Sequence, residues 1–137
     1  MMMSNIVRTT TKMVSPFLVT YSIYIMLYGH LTPGGGFQAG VILAVSIILL
    51  MTAHGSKNLE EKVNETWFKM IENIMAISIL IMVSIGLVFG AMFYNFLHRG
   101  TFGLPISGGM IPLFNIFVGL KVGAGFMVIY YALLRWF

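Results

Sequence analysis

Apolar residues gather in four long blocks, at positions 13–29, 36–53, 74–97 and 111–134, with short polar or glycine-rich stretches between them. A membrane-spanning helix needs about 20 apolar residues at a rise of about 1.5 Å each. Each block is close to that length, so the pattern predicts four transmembrane helices. Pro16 falls in the first turn of the first block, where a missing N–H costs little. The short connections predict consecutive spans that pack as antiparallel neighbours in a small bundle. Residues 57–72 follow another pattern. Leu59, Val63, Trp67, Met70, Ile71 and Ile74 recur at helical spacing, and Glu65 precedes Lys69 by four residues. This predicts a solvated amphipathic helix on the cytoplasmic side leading into the third span. A docking surface for a cytoplasmic partner is the alternative there.

Composition agrees with the block pattern. Of 137 residues, 58% are hydrophobic and only 9% charged, against about a quarter charged in a soluble domain. The chain is therefore read as an all-α integral membrane protein of the cell membrane, in contact with lipid, with one domain over 1–137. Cysteine is absent, which excludes disulfides, thiolate zinc sites and cysteine-ligated iron–sulfur clusters in this chain. Aspartate is also absent, and the three histidines are scattered, so no metal constellation is visible. The net charge of +4 is spread along the chain and signals topology, not nucleic-acid binding.

The basic residues orient the spans. With the N-terminus inside, Arg8, Lys12, Lys57, Lys62, Lys69 and Arg135 are cytoplasmic and only Arg99 is outside. Both termini are then cytoplasmic. Arg8 and Lys12 before the first block resemble the start of a signal peptide. No small-x-small cleavage site follows, so a retained first span is expected.

Small residues recur four apart at Gly36, Gly40 and Ala44, at Gly86 and Gly90, and at Gly119 and Gly123. Such spacing lets membrane helices approach closely. Tight packing, within the chain or against other subunits, follows more readily than an internal pore. The loop before the second block reads "YGHLTPGGGFQAG". Its three glycines suit an anion nest, a flexible elbow or a corner where backbones touch. With no cation beside it, the close-contact corner is favoured.

"GHLTPGGGFQAG" at 29–40 resembles the hallmark of the B subunit of Mrp-type multi-subunit sodium/proton antiporters, the MnhB domain. The motif residues are Gly29, His30, Pro33, Gly34, Gly35, Gly36, Phe37 and Gly40. The resemblance implies a non-catalytic accessory subunit without a cofactor of its own. Its partners would be other small membrane subunits and a large antiporter-like subunit. One position departs from the antiporter pattern: Leu113-Phe114 is followed by Asn115 where those subunits carry aspartate. "PLFNIFVGLKVGAGF" looks more like the version in archaeal membrane-bound hydrogenases and sulfane-sulfur reductase complexes. Such complexes join an antiporter-like module to a redox module and couple ferredoxin oxidation to ion movement. The iron–sulfur clusters and a nickel-iron or related site would then belong to other subunits. A subunit of a stand-alone antiporter and a purely structural scaffold are the alternatives.

Lys121 is the one charge within the last block. A mid-bilayer lysine costs about 2.5–3.5 kcal/mol on insertion scales. No acid is expected at its depth within this chain, because every glutamate lies at or before position 72 on the cytoplasmic side. A carboxylate from a neighbouring subunit is therefore expected. Gly125, on the same helix face, leaves space for water or a partner side chain. Lys121 is read either as a movable charge in an ion path or as a static pair that fixes assembly. Asn115 and His30 are the other ion-path candidates. Asn115 also suits a hydrogen bond between helices, and His30 lies in an outer loop, where a histidine suits a proton relay. His98 is a further loop histidine, and His54 an interfacial one.

Overall fold

The computed structural model describes residues 3–55, 61–91 and 108–136. His98, Arg99, Lys57, Leu59 and the far end of the third block lie outside the described residues. Among the described residues there are four helices: α1 (Asn5–Tyr28), α2 (Gly36–His54), α3 (Glu65–Val88) and α4 (Met110–Trp136). Three of them, α2, α3 and α4, are long and apolar enough to cross a membrane. The chain is thus a multi-pass integral membrane protein. In α1, Arg8, Lys12 and three consecutive threonines dilute the apolar content.

Helix α1 starts well before the apolar block. Ser4 caps it by accepting a hydrogen bond from the Val7 amide at 3.4 Å, and no breaker follows until Pro16. Pro16 is therefore inside the helix and not in its first turn. Helix α3 likewise starts at Glu65, capped by the Asn64 side chain, which accepts from the Thr66 amide at 3.2 Å. The last eight residues of the amphipathic stretch are thus the first two turns of the spanning helix itself.

The packing order is α1–α2–α4–α3, which differs from an up-and-down bundle. Helices α2 and α4 run parallel and share a long seam, while α2 and α3 share no comparable one. The glycines explain this. Gly36 meets the Asn115 backbone, and Gly40 meets the carbonyl of Gly119 so closely that no Cβ fits. A Cβ on Gly123 would lie 3.2 Å from the Gly40 carbonyl oxygen. Two glycine stripes facing one another let the backbones touch. Gly90 does not share in this: it lies beyond the end of α3 with φ +101° and open space around it.

Helix α1 grips α2 through hydroxyls. Ser15 Oγ and Ser46 Oγ are 2.7 Å apart, Ser46 Oγ donates to the Ser15 carbonyl at 3.1 Å, and Ser22 Oγ donates to the Ala39 carbonyl at 2.7 Å. All three serines are fully buried, so the hydroxyls of Ser15 and Ser22 on α1 and of Ser46 on α2 are turned inward. Apolar cores close the two ends. Ile25, Met26 and Ala39 pack near the start of α2, and Met51, Met127 and Tyr131 near its end. Helix α3 stands apart. It packs chiefly on α4 and buries only Met82 and Gly86.

Candidate functional site

Two constellations stand out, on opposite sides of α4. The first is the glycine corner. Gly34 has φ +147° and lies against the side chain of Ile25, so a Cβ there is both strained and crowded. A Cβ on Gly29 would lie 3.4 Å from Nδ2 of Asn115 and 3.2 Å from the Cα of Gly35. The corner is therefore a place where the α1–α2 turn and the start of α4 touch backbone to backbone. His30 packs beside the turn into α4: a Cβ on Gly108 would sit 3.4 Å from its Cδ2. Thr32 Oγ1 donates to the Tyr28 carbonyl at 3.0 Å and holds the turn. Phe37 differs from its motif neighbours, since its ring is exposed on α2.

The second constellation is a charged pair. Lys121 Nζ lies 3.9 Å from Oε1 of Glu72, which projects from the third turn of α3. A Cβ on Gly125 would sit 3.5 Å from that same oxygen. The carboxylate thus rests against the bare backbone of Gly125, one turn on from Lys121. The acid that Lys121 needs is present in this chain, contrary to the expectation of a carboxylate from a neighbour. The reason is geometric. Helix α3 begins at Glu65, so Glu72 is carried about 10 Å along the span.

Depth follows from the glycine seam. Gly123 packs on Gly40 and Leu43, so Gly125 is level with the middle of α2. Position 44 is about 12 Å from Gly36 and about 15 Å from His54 at helical rise. The pair therefore sits near mid-membrane. The Lys121 side chain is 41% exposed and that of Glu72 32% exposed, so the pair opens sideways from the α3–α4 seam. Neither side chain makes a hydrogen bond among the described residues.

At one end of that seam the charges are tighter. Glu65 pairs with Lys69 at 2.7 Å and with the Arg135 guanidinium. Tyr131 Oη donates to the Val63 carbonyl at 2.6 Å, which ties the entry of α3 to the end of α4. Among the described residues, no three of His, Cys, Asp and Glu come together as a metal site would require.

Of the three ion-path candidates, Asn115 and His30 both lie at the glycine corner. Lys121 does not join them. Six residues separate Asn115 from Lys121, about 9 Å along the helix and about 240° around it. Asn115 thus borders Gly29 and Gly36, while Lys121 faces α3. Glu72 is the member that sequence reasoning left on the cytoplasmic side, at the start of the third span. Its signal was its place at the edge of the third block, with Met70 and Ile71 before it and Ile74 after Asn73.

The chain matches a family over most of its length. The family model of the domain related to the MnhB subunit of the Na+/H+ antiporter covers residues 6–128. The chain belongs to the MnhB family. Among its relatives, the B-type component of a Na(+)/H(+) antiporter from Bacillus subtilis is 36% identical over 75% of this chain and 71% of its own length. An uncharacterised protein of Methanocaldococcus jannaschii is 36% identical over 123 residues, 45% of its length. A chain of the membrane-bound sulfane sulfur reductase, an archaeal respiratory membrane complex, superposes with a TM-score of 0.79 at 28% identity. That likeness covers 96% of this MnhB chain and 58% of the other. The chain thus spans about half of the archaeal relatives and more of the bacterial one.

Proposed function

We propose that this chain is an accessory membrane subunit of the Mrp-like sodium/proton antiporter module of a respiratory membrane complex that couples ferredoxin oxidation to ion translocation. The observation that carries this reading is the near-complete superposition on a chain of the sulfane sulfur reductase complex, together with the MnhB match. In this reading all four helices span the cell membrane, α1 through its residues 13–28, and both termini are cytoplasmic by the charge bias. Catalysis and redox centres, including iron–sulfur clusters and a nickel-iron or related site, belong to other subunits. Partners are other small Mrp-like subunits, a large antiporter-like subunit and the redox module. Lys121, with Glu72 beside it, is the ion-path candidate of this chain, since a mid-membrane ionisable pair is kept where it has a use. Asn115 and His30 are candidates at the outer corner.

The antiporter relative from Bacillus subtilis supports a second reading, membership of a stand-alone antiporter. Genes beside this one separate the two: redox subunits in the first case, antiporter subunits alone in the second. The direct test is ion uptake into vesicles holding the whole complex, with Lys121→Met beside the wild type and electron transfer measured separately. An assembled complex that has lost ion uptake supports the ion-path role. Unchanged uptake overturns it.

A further inference from the structure

The Glu72–Lys121 pair is incomplete as it stands. Its charges are 3.9 Å apart, beyond a direct hydrogen bond. An ammonium has three donors to satisfy, and none of them finds an acceptor among the described residues. Both side chains open sideways near mid-membrane, where hydrocarbon offers no hydrogen bond and an exposed charge is costly. The pair lies about 10 Å along α3 from Glu65, where the charged end of the seam begins. Beside the opening, Gly125 leaves a notch in α4, and Ile129, one turn further on, is exposed.

We propose that the open side of this pair is a docking site for a transmembrane helix of another subunit, which presents a hydrogen-bond acceptor to Lys121 at mid-membrane depth. A partner of this chemistry does what neither lipid nor this chain does: it completes the ammonium's bonds and covers the charge. Electrostatics also favours an acceptor over a second cation, since the ammonium is the group of the pair whose donors are left unmet. The inference rests on the reading of this chain as one subunit of a larger complex. It adds which face docks and by what chemistry.

The test uses the whole complex, with a photo-crosslinking benzoylphenylalanine in place of Ile129. Adducts to another membrane subunit are expected, identified by mass spectrometry. Lys121→Met and the double variant Glu72→Gln/Lys121→Met are each expected to lower that crosslink by about fivefold or more. Lys121→Arg, which keeps a donor cation, is expected to retain it and serves as the folding control. Lipid-only adducts at Ile129 overturn the proposal. So does an undiminished protein crosslink in the double variant, because the contact is then apolar packing. Ion uptake is read in parallel. A lost crosslink with normal uptake upholds the docking site and removes the ion-path role; lipid-only adducts with lost uptake do the reverse.

Discussion

Helix α4 has two seams, and they are built in opposite ways. Toward α2 it presents Gly119 and Gly123, and the backbones touch. Toward α3 it presents Lys121 and Gly125, and the seam holds a loose ion pair and a notch. The first seam gains dispersion from close approach and has no room to change. The second is held by side chains, with the Glu72–Lys121 pair 3.9 Å apart, and most of α3 stays uncovered. Rigidity in this chain lies on the α1–α2–α4 side.

The contrast is broken most strongly at Gly40. Gly40→Leu puts a side chain where the Gly119 carbonyl already lies. A loss of about 3 kcal/mol is expected, seen as a chain that no longer elutes as one species in detergent and a complex that no longer assembles on a native gel. The charged seam ranks next. Lys121→Met strands Glu72 and is expected to lower stability by about 1–2 kcal/mol, less than for a fully buried pair because this one is half exposed. The double variant Glu72→Gln/Lys121→Met should recover most of that in thermal unfolding of the full chain in detergent, while still failing to hold its neighbour in the complex.

The hydroxyl clamp between α1 and α2 comes third. Ser15→Ala removes the hydroxyl–hydroxyl bond but leaves Ser46 Oγ its bond to the Ser15 carbonyl, and is expected to cost about 1 kcal/mol. Removing both hydroxyls together should cost less than twice that, and a double-mutant cycle of melting temperatures reads the difference. Arg135→Gln, at the exposed end of the α3–α4 seam, is expected to lower the melting temperature only slightly, and less as salt is raised. The smallest effect sharpens the comparison. Gly125→Ala adds a Cβ at ordinary contact distance from Glu72, so stability should stay within about 0.5 kcal/mol of wild type. A large loss there would mean that the α3–α4 seam is as tight as the glycine seam.

Much of the membrane architecture was legible in the residues alone. Three of the apolar blocks coincide with helices that meet the length and apolarity of a span, because that requirement is local and needs no knowledge of neighbours. The glycine spacing at Gly36, Gly40, Gly119 and Gly123 pointed to close packing, since only glycine permits it. The motif at 29–40 pointed to the MnhB family. Helix starts were less legible. Side chains of Ser4 and Asn64 cap α1 and α3 ahead of the apolar blocks, and a hydropathy pattern does not register a cap.

Pairing was beyond the sequence. Short connections suggested that each span packs on the next, yet α4 inserts between α2 and α3 because its glycine stripe fits that of α2. That insertion sets the level of every residue on α3 against α4. It carries Glu72 from an apparent place at the membrane surface to the side of Lys121. Along the chain, 49 residues separate the two charges. A sequence shows that Lys121 needs an acid, because the cost of a mid-membrane ammonium is a local matter. Which acid answers, and which side of the pair stays open, depends on how two helices are staggered, and only the tertiary structure decides that.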